Sequence, residues 1–165
     1  MFLEYIVKKD DDFKTINEVL TSHFTISSRL RNKLINLKAV KLNGNFVNTR
    51  SFVKELDLIT VDFDYEEDNS NILPTKMDLQ IIYEDEWLLI VNKPAGIAIH
   101  PSLLHYTDSL SNGVRYYFDL IGLKKKIRPV NRLDADTSGL VVFAKCEYIQ
   151  ERFIKQMANK TFKKE

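Results

Sequence analysis

The 165-residue chain contains one cysteine, three histidines, five glycines and four prolines. The single thiol, Cys146, cannot form an internal disulfide, and one thiol cannot build a cysteine-rich zinc site. The histidines show no metal-ligand spacing, so we expect no metal. With 44% apolar and 28% charged residues and little glycine or proline, the composition excludes a collagen-like, low-complexity or generally disordered chain.

Long hydrophobic runs are also absent. No apolar stretch approaches the roughly 20 residues that a transmembrane helix needs. The N-terminal residues lack the basic start, long apolar stretch and small-residue cleavage site of a secretory signal. We therefore expect a soluble, cytoplasmic protein with no membrane partner. At roughly 100–200 residues per domain, the length suits one medium domain or two small ones.

Net charge is nearly absent, because 24 basic residues oppose 23 acidic ones. The two signs are nevertheless segregated along the chain. Residues 55–86 contain eleven acidic residues and one basic residue, whereas residues 28–54 contain no acidic residue and seven basic ones, namely Arg29, Arg31, Lys33, Lys38, Lys41, Arg50 and Lys54. Such a basic block is typical of a phosphate-binding surface, although a solvated helix face has the same composition.

The acidic stretch contains a polar, turn-rich segment, 64–76, that ends near a proline. This composition predicts a linker between two domains, residues 1–63 and residues 77–165. In the first domain, Ile16, Val19 and Leu20 have the spacing of one apolar helical face. A second helix is predicted to begin at Ser27 or Ser28, and Asn43-Gly44 predicts a hairpin turn followed by a strand over 58–63.

The segment from Ser28 to Ile59 resembles the alpha-L RNA-binding domain first seen in small-subunit ribosomal protein four. That family presents basic side chains of its second helix and hairpin to structured RNA. Duplex RNA is recognised by shape and backbone contact, which requires positive side chains on a rigid framework. The resemblance implies RNA contacts by Arg29, Arg31, Lys33, Lys38, Lys41 and Arg50.

In the second domain, the pattern of apolar and turn residues predicts strands over 79–83 and 87–91, a helix over 110–120, a buried strand over 140–145 and a helix over 148–157. A polar loop precedes the buried strand and contains two carboxylates, Asp134 and Asp136. Spacing slightly favours a turn in which these carboxylates bind their own backbone. A paired-carboxylate hydrolase site has the same spacing.

Two motifs in this region resemble the RluA-type pseudouridine synthases, which isomerise uridine in RNA. They are Lys93-Pro94-Ala95-Gly96 with His100-Pro101-Ser102, and the run Asn131-Arg132-Leu133-Asp134-Ala135-Asp136-Thr137-Ser138-Gly139-Leu140. The resemblance implies that Asp134 is catalytic, that substrate is bound by Asn131, Arg132 and Thr137, and that Asp136 has no catalytic role. It also implies that RNA, with ribosomal RNA favoured, is the partner, and that neither a cofactor nor an obligate protein partner is needed.

The predicted fold is therefore α+β: a small alpha-L RNA-binding domain of helices and a small antiparallel sheet, then the N-terminal part of a mixed, mainly antiparallel-sheet catalytic domain. In the family a tyrosine follows a segment like Lys164-Glu165. By that resemblance we expect the chain to end within the catalytic domain, to bind RNA and to have little or no synthase activity. Two alternatives stay open, an RNA-binding module without catalysis and a hydrolase that needs both Asp134 and Asp136.

Overall fold

Two antiparallel sheets and four α-helices make up the described part of the chain, residues 1–103 and 105–161 of a computed structural model. The predicted α+β class is confirmed. The chain divides into two compact units, Met1–Tyr65 and Glu66–Glu165. The Lys164-Glu165 segment, on which the expectation of an unfinished domain rests, lies outside the described residues.

The helices of the first unit are α1 (Ile16–Ser22) and α2 (Ser28–Asn36). A capping box starts α1: the Glu18 carboxylate accepts the Thr15 N–H at 2.7 Å, and the Thr15 hydroxyl accepts the Glu18 N–H at 3.2 Å. Ser27, predicted as a possible cap, accepts the Leu30 N–H at 3.2 Å and starts α2. The apolar faces of both helices are buried, through Ile16, Val19, Leu20, Leu30 and Leu34.

The sheet of the first unit has the strand order β1-β4-β2-β3. Its strands are β1 (Phe2–Ile6), β2 (Val40–Leu42), β3 (Asn45–Phe46) and β4 (Leu58–Asp62). The predicted hairpin turn joins β2 and β3, with Asn43 at φ 50° and Gly44 at φ 81°, the left-handed conformations that a two-residue turn of this kind requires. Strand β1 pairs with β4, so the first residues of the chain form one edge of the sheet.

Residues 66–76, most of the predicted linker, form no helix or strand but belong to the second unit. The Glu67 N–H donates to the Lys124 carbonyl at 2.9 Å. The Glu67 carboxylate accepts both Arg128 Nη atoms, at 2.5 and 2.7 Å, and these two side chains are only 4% and 6% exposed. Ile72 lies in the apolar core. The polar composition from which the linker is predicted therefore includes a charge, that of Glu67, that is paired within the second unit.

The second unit contains one sheet, with the strand order β5-β6-β7, and two helices, α3 and α4. The bounds are β5 (Gln80–Glu84), β6 (Leu88–Lys93), α3 (Leu110–Leu120), β7 (Gly139–Ala144) and α4 (Glu147–Ala158). Leu89 and Val91 of the central strand form the core with β7 and α3. Gly113 allows α3 to approach the chain before β5, since a Cβ there would lie 2.9 Å from the Met77 sulfur.

A hydrogen bond ties α3 to the end of β5. The Tyr117 hydroxyl donates to Glu84 at 2.5 Å, and Lys145, just after β7, binds the other oxygen of the same carboxylate at 2.7 Å. The bond to Glu84, and secondly burial, raises the pKa of Tyr117 to about 12 from its ordinary 10.0. Helix α3, the end of β5 and the residue that follows β7 are thus joined at the Glu84 carboxylate.

Tyr117→Phe is expected to lower the free energy of unfolding by about 1 kcal/mol at neutral pH, because a hydrogen bond to a charged acceptor is lost. A folded-state pKa above the unfolded value means that this stabilisation is complete below pH 10 and is lost as pH rises through about 12. Urea unfolding of both proteins at pH 8, 10 and 12 should show the difference shrinking. A difference that stays constant across this range would refute the assignment.

No helix in the described ranges is both long and apolar enough to cross a membrane. Within the same ranges, no three His, Cys, Asp or Glu side chains are grouped closely enough to hold a metal ion.

Candidate active site

The predicted catalytic loop, residues 131–138, leads into β7 and is fixed at its start by Asn131. The Asn131 side chain is buried, donates to the Leu140 carbonyl at 2.8 Å and accepts the Val142 N–H at 2.8 Å. A backbone hydrogen bond from Thr137 N to the Asp134 carbonyl, 3.1 Å long, closes a turn within the loop. The family resemblance implies that Asn131 binds substrate; in the structure its amide forms hydrogen bonds with Leu140 and Val142 of β7, which hold the start of the loop.

A cleft of about 460 Å³ separates this loop from residues 98–102. One wall carries Arg132 and Asp134, and the other carries His100 and Ser102. Two of the predicted site residues, Asp134 and Arg132, therefore face the same space, whereas Thr137 is not among the residues that line it. The volume lies within the range of about 300–1,000 Å³ usual for small-ligand sites.

Asp134 is exposed to the cleft, and within residues 1–103 and 105–161 its carboxylate forms no hydrogen bond and no ion pair. The same holds for the guanidinium of Arg132, so these two side chains share the cleft without pairing to each other. A carboxylate in a turn usually binds nearby backbone N–H groups. Since Asp134 does not, its oxygens are left available to a ligand in the cleft.

His100 faces this loop from the opposite wall. Desolvation of the ring, and secondly the positive charge of Arg132, lower the pKa of His100 below its usual value. A depressed pKa keeps the imidazole neutral at neutral pH, so it offers one donor and one acceptor to a ligand in the cleft.

A buried lysine, Lys93, forms a hydrogen bond with the loop 131–138. Its ammonium is completely buried and donates to three backbone carbonyls: Pro94 at 2.9 Å, Ile97 at 2.9 Å and Ala135 at 2.8 Å. Two of these carbonyls belong to the loop after β6, and the third belongs to the catalytic loop. Lys93 therefore joins the two walls of the cleft.

The charge of Lys93 interacts with the carboxylates of Asp136 and Asp134. Burial lowers the pKa of Lys93, and the negative charges of Asp136 and Asp134 oppose that shift. The Gly96 N–H also donates to the Ala135 carbonyl, at 2.9 Å, from a backbone φ of 92° that favours glycine. The same carbonyl thus receives two donors, one from the last residue of β6 and one from the loop that follows it.

No role for Lys93 is predicted from the sequence, although the residue lies in the Lys93-Pro94-Ala95-Gly96 motif. Burial alternates along β6, so that Leu89, Val91 and Lys93 share the inward face. A lysine at an inward position needs hydrogen-bond acceptors, because an unpaired buried charge is strongly unfavourable. Residues 88–91 are all apolar, so the sequence does not show which face of the strand points inward, and the burial of Lys93 is seen only in the structure.

The predicted RNA-binding residues all lie in the first unit. Arg29, Lys38 and Arg50 are exposed. Arg31 already forms a hydrogen bond, since its Nη1 donates to the Thr21 hydroxyl at 2.8 Å. The Lys33 ammonium lies 4.7 Å from the centroid of the Tyr65 ring. The remaining residue, Lys41, projects from β2.

Comparison with known proteins matches the second half of the chain to a known family. Residues 87–165 match the family model for RNA pseudouridylate synthase. Two similar proteins of Bacillus subtilis are the uncharacterized RNA pseudouridine synthases YhcT, 33% identical over 98% of this chain and 53% of its own length, and YlyB, 39% identical over 74% and 41%. Ribosomal large subunit pseudouridine synthase D of Borreliella burgdorferi is 33% identical over 87% of this chain and 48% of its own length.

The chain spans about half the length of the curated relatives that it matches. The matched region contains the whole loop 131–138 and the residues of the cleft. With this match and these relatives, residues 87–165 belong to the RluA-type RNA pseudouridine synthase family.

Proposed function

We propose that this protein isomerises specific uridines of RNA, with ribosomal RNA as the favoured substrate, and that Asp134 is its catalytic residue. The observation that carries the proposal is the Asp134 carboxylate, exposed to the cleft and forming no hydrogen bond or ion pair with the residues described. Two further points support it, the family match over residues 87–165 and relatives whose names specify the large ribosomal subunit.

The reaction breaks the bond between uracil N1 and ribose C1′ and forms a bond between uracil C5 and C1′. The proton leaves C5 and a proton is gained at N1, so atoms and electrons balance without an oxidant or a cofactor. The Asp134 carboxylate acts either as a nucleophile, at the ribose or at the base, or by stabilising positive charge that develops on the ribose. Each of these roles requires an accessible oxygen, which the cleft provides.

The target uridine must leave its stack before Asp134 can reach it. Extruding a base costs a few kcal/mol, which contacts with the RNA backbone must offset. Arg132 and His100 line the same cleft and can donate to the extruded nucleotide or its phosphates. We assign Arg132 to substrate binding, and we assign Thr137 to shaping the loop through its backbone bond to Asp134.

We further propose that residues 1–63 are an alpha-L type RNA-binding domain and that the protein acts in the cytoplasm. The exposed basic residues Arg29, Lys38 and Arg50 support this role, because phosphate contacts dominate affinity for RNA. Residues 77–165 then contribute the catalytic carboxylate.

The proposed function is tested by incubating the gene product, as the cell makes it, with ribosomal RNA carrying tritium at uracil C5. Tritium release, followed by detection of pseudouridine in the digested RNA, is the expected result. Binding of the RNA without any release at any site would instead support the RNA-binding module without catalysis.

Removal of the exposed basic residues is expected to weaken RNA binding and its salt dependence. Each phosphate contact contributes about 0.7–0.9 to the slope of log affinity against log salt. We expect the double variant Arg29→Ala, Arg50→Ala to reduce that slope by about 1.5, measured by fluorescence anisotropy between 50 and 200 mM salt. Lys9→Ala, which removes an exposed charge outside the basic segment, is the control and should leave the slope unchanged. Equal slopes for all three proteins would exclude the proposed contacts.

A further inference from the structure

An exposed aromatic ring lies among the basic residues of the first unit. Phe46, in the short strand β3, is 60% exposed. The Lys38 ammonium lies 5.7 Å from the centroid of its ring and the Lys41 ammonium lies 5.4 Å from it. An exposed ring next to two cations is the combination that binds an unpaired nucleotide, by stacking on the base and pairing with the phosphate.

The backbone sets this arrangement. Lys41 and Phe46 are direct cross-strand partners in the β2–β3 hairpin, so their side chains project from the same face. Lys38 follows the last turn of α2 with φ 55°, a left-handed conformation that favours glycine at the end of a helix. A lysine at this position brings a second cation to the ring.

The Phe46 ring lines a pocket of about 400 Å³ that has positive and negative side chains in its walls. The cations Lys38 and Lys41 line it together with two carboxylates, Asp62 and Asp64. The Asp62 carboxylate already accepts the Asp64 N–H, through one oxygen at 2.8 Å, and one oxygen of Asp64 lies 3.7 Å from the N-terminal ammonium of Met1. Carboxylates repel a phosphate but accept N–H groups from the edge of a base. The charges therefore orient a nucleotide with its base toward the carboxylates and its phosphates toward the lysines.

We propose that Phe46 stacks on an unpaired base of the RNA, preferably guanine, and that Lys38 and Lys41 bind the flanking phosphates. Guanine is favoured because its N1–H and N2–H₂ can both donate to one carboxylate, whereas uracil offers only N3–H. The ammonium groups above an exposed ring are held weakly, so a stacked base can displace them. The inference rests on the proposed RNA-binding role of the first unit and extends it from backbone contact to recognition of an unpaired nucleotide.

The test compares three RNA hairpins that differ only in the stem: fully paired, with one bulged guanosine, or with one bulged uridine. Binding to the 165-residue chain is measured by fluorescence anisotropy. We expect the guanosine bulge to bind about tenfold more tightly than the paired stem, the effect expected for one base stacked on an aromatic ring. Phe46→Leu should abolish this preference while leaving affinity for the paired stem unchanged, and Phe46→Trp should retain it.

Phe52→Leu is the matched control, because Phe52 is an aromatic residue of the same unit with similar exposure, 67%. The inference is overturned if Phe46→Leu keeps the preference, if it weakens all three RNAs equally, or if Phe52→Leu has the same effect. Equal affinity for the guanosine and uridine bulges overturns the role given to the carboxylates. Absence of binding to every hairpin would refute the proposed RNA-binding function itself, whereas binding without a bulge preference refutes the inference alone.

Discussion

Asp134→Asn, in the gene product as the cell makes it, is expected to reduce pseudouridine formation by about a thousandfold, the upper end of what the loss of one electrostatic group at a reaction centre costs. Asparagine has nearly the same shape as aspartate but supplies neither a negative charge nor a carboxylate nucleophile. An aspartate supplies no attractive contact to a phosphate, so affinity for RNA should not fall. The measurement is the rate of tritium release from C5-labelled ribosomal RNA at saturating enzyme.

Asp136→Asn is the control for this experiment. Asp136 lies two residues away in the same loop, is also exposed, and acts on Lys93 more strongly than Asp134 does. Any loss of activity that arises indirectly, through a weakened Lys93, should therefore be at least as large in Asp136→Asn. We expect this control to keep most of the activity. Comparable losses in the two variants would favour the alternative of a paired-carboxylate hydrolase or a purely structural role.

Lys93→Met is expected to have the largest effect on stability among single changes near the cleft. Methionine fills a similar volume but cannot donate, so three backbone carbonyls lose their bond to the ammonium. The Ala135 carbonyl keeps the Gly96 N–H, so the carbonyls left without this donor are those of Pro94 and Ile97. Each such loss costs about 1–3 kcal/mol, and relief of the buried charge offsets part of the sum. We expect the free energy of unfolding to fall by about 3 kcal/mol, measured by urea denaturation.

The two walls of the cleft should also separate in this variant. Hydrogen exchange at Gly96, whose N–H binds Ala135, is expected to accelerate together with exchange in residues 131–138. Asn92→Ala, at the neighbouring and less buried position of β6, provides the comparison and should change exchange much less. An intact exchange pattern in Lys93→Met would mean that the two loops are held together without this lysine.

Much of the local structure follows directly from the sequence. Asn43-Gly44 specifies its hairpin because both residues accept positive φ, and Ser27 specifies the start of α2 through its hydroxyl. The helix from Leu110 to Leu120 has the predicted bounds, since its apolar residues repeat with helical spacing. These features depend on interactions within a few residues of the chain, which a linear pattern contains.

Other features could not be predicted because they depend on long-range contacts. The ion pair of Glu67 with Arg128 joins residues far apart in the sequence, and without it the segment 66–76 looks like a solvated linker. The hydrogen bonds of Asn131 with Leu140 and Val142 likewise join residues that the linear pattern does not bring together. The cleft has the same origin, because residues 98–102 and 132–135 meet only when the unit folds.

The central claim is that Asp134 performs uridine isomerisation on cellular RNA, and mapping of pseudouridine in ribosomal RNA tests it most directly. Cells that lack the gene should lose one or a few pseudouridines, and reintroduction of the wild-type gene or of Asp136→Asn should restore them. Asp134→Asn, expressed at the same level, should restore none. Restoration of these sites by Asp134→Asn would contradict the account.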